Sequence, residues 1–363
     1  MRQIWQKLKV LGRGKLAFSA AMAYLLCLLV LISILPWLPL PYAPNYLDLS
    51  HTLQPPFSAN AAGAEEGFHL LGTDALGRDV LSNMLYGART AFFVSLPVML
   101  LSTLLGLLVG MSAGYFAGKG VSLNRGKFLV LCLSFLLFAF YAVYLPAKAW
   151  RLGLGDDVIF YSLGTFLLFT VLLYTLFFSL FRRIRTLKKK VVFPVDELVL
   201  KVIEVLSSIP RFVLILLLAA LFPPSVVLLS AILVFTLWTE TARLARAEML
   251  RTRQLSYFEA AHSLGLTNWQ LLYRQALPNI VGPILVSFTF GLGSLLTLES
   301  TLSFLNIGVP TTFVSWGRLI AGIKTNTSAW WLVLFPGAML TATVLALYTT
   351  SYYLTSAFTQ HKD

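Results

Sequence analysis

The sequence predicts an all-α polytopic membrane protein with about eight transmembrane helices. Three observations predict it. First, 58% of the 363 residues are hydrophobic and 12% are charged, with a mean hydropathy of +0.79. That is more apolar surface than a soluble fold can hide. Second, several apolar runs reach the ~20 residues needed to cross a bilayer. They are continuous rather than alternating, which excludes a β-barrel. Third, 21 of the 28 Lys and Arg fall in segments that an eight-span path starting inside leaves in the cytosol. Such a bias is the positive-inside pattern. The net charge of +13 therefore reports orientation, and no nucleic-acid partner is expected.

Residues 1–40 begin with Arg2, Lys7, Lys9, Arg13 and Lys15 and no acid, followed by an apolar run from Ala17 to Leu40. The apolar core of a signal peptide is ~7–15 residues. This run is longer, so it predicts a retained first span with a cytosolic N-terminus. Cys27 and Cys132 lie in apolar runs and are expected as buried thiols rather than a disulfide. Residues 41–90 are the sizeable polar segment of the outer side, with Pro41, Pro44, Pro55 and Pro56. They are too few for a ligand-binding domain, so capture of a solute outside the membrane belongs to another chain. Within them, Gly72 and Gly77 bracket Thr73, Asp74, Arg78 and Asp79. This predicts a turn leading into a helix, with Arg78 paired to Asp74 or Asp79, and a structural role at the outer mouth.

The second span covers residues 91–118, where Gly106, Gly110, Gly114 and Gly118 recur every four residues. Such a stripe lets a neighbouring backbone approach closely or faces a pore; helix packing is the simpler account. Residues 119–193 hold two further apolar runs, 127–145 and 158–181, and end in the basic run RRIRTLKKK. Topology explains that run, and acidic membrane lipid is its alternative partner.

Residues 194–353 start with an amphipathic stretch carrying Asp196, Glu197, Lys201 and Glu204, then Pro210, which kinks the span. Arg211 follows inside an apolar run. On lipid it would cost ~2.5–3.5 kcal/mol, so it is expected to face protein or a water-filled path. The next span, 225–242, carries Glu240 near its inner boundary and leads to Arg243, Arg246, Arg251 and Arg253, which anchor to the membrane or contact a partner. Tyr257–Asn279 then reads as two short helical pieces broken at Gly265. Ala260, Ala261 and Leu264 share one side, and Trp269, Leu272 and Tyr273 the other. Gly265 suits a left-handed helix stop, Thr267 an N-cap, and Pro278 a close to the unit. This amphipathic helix–turn–helix is either an interfacial loop on lipid or a docking knob for a partner protein. A span over 280–298 ends at Glu299, a functional candidate or a structural hydrogen-bonder to a neighbouring helix. Trp330 and Trp331 mark an interface belt. A last span, 332–353, precedes the tail 354–363.

Four motifs now resemble one family in its own order. Glu259-Ala260-Ala261, Gly265 and Leu277-Pro278-Asn279 resemble the "EAA" loop of binding-protein-dependent ABC importer permeases. Leu71–Arg89 resembles the GTDxxGRDxxSRxxYGAR signature of the dipeptide/oligopeptide/nickel branch. Val195–Pro210 resembles VDELxMRxxDxxLSIP, and Glu299–Gly317 resembles ESxLSFLGxGVxPPxxSWG. The departures are Asn83 for Arg, Glu204 for Asp, Thr241 for Tyr, Gln275 for His, Asn306 for Gly, and Thr311 and Thr312 within the proline pair.

The resemblance implies a type I ABC importer permease core of six helices, with 119–193 adding two inserted helices. It implies that 243–279 is a cytosolic coupling loop in which Glu259, Ala260, Ala261, Gly265, Leu277, Pro278 and Asn279 meet an ATPase. The implied partners are a second permease subunit, two cytosolic ABC ATPase subunits and an extracytoplasmic solute-binding protein. The implied site is the bacterial plasma (inner) membrane with both termini in the cytosol. The implied cargo is peptide. The alternatives are nickel or antimicrobial peptides, or a non-transporting interaction or sensor protein that keeps the loop.

No GxxxxGK[ST] loop is present, so the chain is expected to bind no ATP and to be non-enzymatic, with no cofactor. His51, His69, His262 and His361 are too scattered in sequence for a metal site, and none is expected. Arg211, Glu240 and Glu299 remain the candidate polar residues of a pathway.

Overall fold

A computed structural model describes residues 16–58, 69–118, 120–153, 156–183, 190–221, 225–308, 310 and 312–359. The basic N-terminus 1–15, residues 184–189 of the basic run, Thr311 and the tail from 360, with His361, lie outside the described residues. Among those described, seven helices are long and apolar enough to cross a membrane, or eight if one bent pair forms a single span. The chain forms two compact units, Met1–Tyr115 with Val199–Asp363, and Phe116–Leu198.

The larger unit opens with α1 (Leu16–Ile34). Next comes α2 (Val80–Phe116), which starts well before the expected span. It starts there because the Asp79 carboxylate accepts the Ser82 amide at 2.7 Å, satisfying one of the free donors of the first turn. After the smaller unit, α6 (Val195–Ser208) and α7 (Arg211–Ala220) meet at 78°. Pro210 lacks the N–H of an unbroken helix, and Ile209 before it is pushed out of helical geometry. The kink expected there is a full break. Helix α8 (Val226–Arg253) follows.

Leu28 and Ile32 of α1, Val98 and Met99 of α2, Ile215 of α7, and Leu229 and Leu233 of α8 form the central core. Later helices complete it: Leu295 and Leu302 of α11 (Leu277–Phe304), Trp316 of α12 (Trp316–Ala321) and Leu347 of α13 (Trp331–Thr359). The glycine stripe of α2 packs on α8. A Cβ at Gly106, Gly110 or Gly114 would lie 2.6, 2.2 or 2.8 Å from the backbone oxygens of Trp238, Ala242 and Arg246. The stripe is a helix-packing seam, and the pore-facing alternative falls away for these three residues.

The smaller unit pairs β1 (Val121–Asn124) with β2 (Lys190–Phe193) in an antiparallel ribbon, Val121 opposite Phe193. Between the strands run α3 (Arg125–Leu137), a π turn Phe138–Tyr144, α4 (Leu145–Leu152) and α5 (Asp156–Arg183). Phe138 meets Phe166 edge-on, Tyr141 packs on Phe169, and the Ser162 hydroxyl donates to Tyr141 O. Only 11% and 6% of the apolar windows of this hairpin are buried, which leaves apolar faces of the kind lipid solvates. Cys27 and Cys132 are exposed and unpaired rather than buried. An apolar run spanning a membrane has lipid-facing positions where a thiol sits as easily as a leucine.

Candidate functional site

The stretch 256–279 is built as a hairpin. α9 (Ser256–Ser263) stops where Gly265 takes φ +81°. The Gly265 amide donates to His262 O at 3.1 Å and the Leu266 amide to Ala261 O at 3.4 Å, which satisfies the last carbonyls of the helix. Thr267 then caps the second arm with Gln270. The Gln270 amide donates to the Thr267 hydroxyl at 3.4 Å, and the Gln270 carboxamide accepts the Thr267 amide at 2.9 Å. α10 (Asn268–Gln270) passes through a π turn, Leu271–Ala276, into α11. Pro278 therefore does not close the unit. It sits in the first turn of α11, where a missing N–H costs little, and Asn268–Phe304 is one span of 37 residues.

Phe258, Ala261, Leu271 and Ala276 form the inner face of the hairpin, packed with Met111, Ala245 and Met249. The Tyr115 hydroxyl donates to Asn268 Oδ1 at 2.6 Å. The Asn279 carboxamide donates to the Tyr257 hydroxyl at 2.9 Å and ties the two ends together. Burial pushes the Tyr257 phenol above its ordinary value, which keeps it protonated. The outer face carries Leu264, Trp269 and Tyr273, exposed by 81%, 69% and 62%. Ala260 and Leu264 thus do not share the buried side with Ala261. Helix α9 ends at Ser263, so Leu264 leaves the helical register that its spacing suggested. Glu259, Gly265, Pro278 and Asn279 are exposed and Leu277 is half-buried. Arg253 donates to Gly114 O at 2.9 Å, a contact within the unit.

The motif at 72–79 is a tight turn. Asp74 Oδ1 accepts the backbone amides of Leu76 and Arg78 at 2.8 and 2.9 Å. Asp79 Oδ1 lies 3.0 Å from His69 Nδ1. The acids therefore meet backbone and imidazole where a guanidinium pair was expected. The Thr73 hydroxyl accepts the Gln54 amide at 2.8 Å and donates to His51 O. Gly72 and Gly77 are pressed on backbone: a Cβ there would meet Gln54 O at 2.5 Å and Asp48 O at 1.7 Å. The Trp331 indole donates to Thr73 O at 3.0 Å and is 6% exposed, so it locks the motif and leaves the interface belt to Trp330. Asn83, where the family pattern has Arg, is buried and accepts the Asn45 amide at 3.0 Å.

The histidines are less scattered than their sequence positions suggest. His51 Nδ1 lies 2.9 Å and His69 Nε2 3.7 Å from the same oxygen, Asp48 Oδ2. Hydrogen bonds from the Ser50 hydroxyl, followed by His51, hold the Asp48 carboxyl down at about 2. The expectation of no metal-ligand cluster rested on distance along the chain, and the turn removes that distance. A cavity of ≈ 520 Å³ opens nearby in the chain, lined by Asn45, Tyr86, Arg89, Phe93, Thr312 and Phe313. The Arg89 guanidinium lies 5.5 Å from the Phe93 ring centre.

Residues 186–362 match the family described as "Binding-protein-dependent transport system inner membrane component". That segment of the chain belongs to the family. A peptide transport system permease protein of Brucella suis is 28% identical over 325 residues, 89% of this chain and 81% of its own. A dipeptide transport system permease protein of Bacillus subtilis is 26% identical over 94% of this chain and 80% of its own. An oligopeptide transport system permease protein of Haemophilus influenzae is 24% identical, covering 94% and 84%. This is an inner-membrane, multi-pass permease component.

The permease's in-membrane polar residues separate into two places. Arg211 and Glu240 pair with each other across α7 and α8, a partnership that spacing alone did not reveal. Glu299 is fully buried and accepts the Ser303 hydroxyl at 2.7 Å. That bond lies within its own helix, not to a neighbour. Its second oxygen has no hydrogen-bond partner among the described residues. Asn306, at the family's glycine, has φ +59°, and the Ile307 amide closes the end of α11 on Leu302 O at 2.9 Å. Asparagine is among the few residues that adopt this conformation readily.

Proposed function

We propose that this permease is the membrane-spanning subunit of an ATP-driven peptide importer, and that a cytosolic ATPase docks on the 257–279 hairpin. One observation carries the reading. Leu264, Trp269 and Tyr273 stand exposed on a hairpin whose opposite face is fixed in the core. Exposed aromatic anchors on a rigid support are what a partner groove takes up. The hairpin's second arm is continuous with α11, a rod of about 55 Å at 1.5 Å per residue. Closure of two ATPase subunits would push the arm and shift the helix that carries Glu299. That is hinge-type alternating access.

The names of the relatives support a peptide cargo, and the cavity beside Arg89 has the size and the cation to receive the carboxylate of a short peptide. Glu259, Ala260, Ala261, Gly265, Leu277, Pro278 and Asn279 form the docking segment within a cytosolic loop, 243–279. Gly72, Thr73, Asp74, Gly77, Arg78 and Asp79 shape the outer mouth. The reading includes a second permease subunit, an extracytoplasmic solute-binding protein and cytosolic termini.

Gly265→Pro removes a donor and a left-handed turn, and Glu259→Lys reverses an exposed charge. Both are expected to abolish co-purification of the cytosolic ATPase subunit. Retention by both variants would overturn the docking role. Labelled dipeptide uptake in cells with and without the chain, other subunits present, tests transport. Unchanged uptake would sink the importer reading in favour of a non-transporting protein that keeps the hairpin.

A further inference from the structure

We propose that Asp48, His51 and His69 form a site for a divalent d-block cation, zinc first, that staples the outer segment around residue 48 to the turn at 69–79. The donor atoms of the three residues lie within 4.8 Å of one another. Asp48 Oδ2 is 2.9 Å from His51 Nδ1 and 3.7 Å from His69 Nε2. Tetrahedral zinc with bonds of ~2.0–2.1 Å to nitrogen and ~2.0–2.2 Å to oxygen sets ligand atoms about 3.3 Å apart. The two measured separations bracket that value, and each needs to change by only ~0.4 Å to reach it. The donor atoms of His51 and His69 lie within 4.8 Å of each other.

The pointer to a ligand is His69. Its side chain is fully buried, and its Nε2 has no hydrogen-bond partner among the described residues. At 3.7 Å the approach to Asp48 is too long for a hydrogen bond. The ring is nevertheless held hard in place. Tyr42 stacks on it at 4.2 Å, and Asp79 Oδ1 accepts from Nδ1 at 3.0 Å. Asp79 is itself fixed by the Ser82 amide. A carboxylate on Nδ1 places the ring proton there and turns the Nε2 lone pair toward Asp48 and His51. Carboxylate–histidine–metal triads orient their imidazoles this way. A cation between the Nε2 lone pair and the Asp48 carboxylate would be attracted by both. The backbone of Asp48 is already seated on Gly77, so the frame is built before the ion arrives. Two imidazoles and one carboxylate with a fourth position open suit zinc better than calcium or magnesium, which prefer all-oxygen shells.

The test uses the full chain, tag-free, purified in detergent and stripped with a chelator. Zinc is then titrated and bound metal counted by mass spectrometry, with cobalt substitution to read geometry from its visible absorption. The expected result is about one zinc per chain and a tetrahedral cobalt spectrum. Both should be lost, with affinity down at least tenfold, in His51→Ala. His51 is chosen because its ring is partly exposed. Asp48→Asn keeps the side-chain shape and decides the same question if His51→Ala misfolds. Absence of stoichiometric zinc, which would make His69 a simple bridge between Asp48 and Asp79, overturns the proposal. So does zinc binding that survives both substitutions.

Discussion

Gly110 has no room for any other side chain: the Cβ of a substitute would sit 2.2 Å from Ala242 O, and backbone does not yield as a side chain does. Gly110→Val is expected to destabilise the permease by about 1–3 kcal/mol, the usual cost of overpacking. It should appear as a lower melting temperature and a smaller monodisperse peak in detergent chromatography. Gly164→Ala, with nothing within 4 Å, is the matched control and should change neither. Asn306 makes the complementary case. Its φ of +59° means that Asn306→Gly should leave the melting temperature unchanged, whereas Asn306→Val should lose about 1–2 kcal/mol. The sequence marks Asn306 only as a departure from a family pattern; the dihedral turns it into an equivalent solution. Asn83 is similar, since its carboxamide finds Asn45, which no local pattern announces. Residue-scale roles were legible where the partner is a near neighbour in sequence, and hidden where the partner comes from elsewhere in the fold.

At the element scale the hairpin shows the same division. Its turn was legible, because Gly265 and the Thr267–Gln270 cap act through bonds spanning three to five residues. Its faces were only partly so. Leu264 shared a side with Ala260 and Ala261 by spacing until the helix was seen to end one residue before it, and Pro278 looked like a stop because a π turn leaves no periodic trace in sequence. The outer turn brings His51 and His69 to one carboxylate although 18 positions separate them in sequence. Two predictions belong here. Trp269→Ala, at a side chain 69% exposed, should weaken ATPase association by about 2 kcal/mol, or ~30-fold, and leave the melting temperature of the isolated chain unchanged. Equal ATPase affinity for the variant and the native chain would mean that the aromatic face serves lipid. Thr267→Ala loses the cap and should cost about 1 kcal/mol in stability. Differential scanning fluorimetry separates it from Trp269→Ala, since only the capping variant should melt earlier.

For the whole molecule, orientation and the smaller unit are one problem. Most of the cations lie in segments that an even number of crossings leaves on one side. Residues 116–198 hold two helices long and apolar enough to cross a membrane; as two crossings they would change nothing downstream as a pair and everything if halved. The ribbon makes the pair separable. Val121 lies opposite Phe193 and Asn124 opposite Lys190, so the chain leaves and returns at neighbouring points a few ångströms apart. Residues 121–193 can therefore be excised and Gly120 joined to Pro194 by a linker of about four residues, which spans such a gap without strain. A cysteine placed at Trp269 in a background lacking Cys27 and Cys132 should be labelled by a membrane-impermeant maleimide only from the cytosolic side. The excised variant should keep that labelling and, with Trp269 restored, its ATPase association. Deletion of α5 alone should move the label to the outer side, because the remaining odd number of crossings inverts every later segment. If the excised variant is labelled from outside, or if loss of one helix leaves the hairpin cytosolic, then the charge pattern does not set the topology and the hairpin's orientation has another cause.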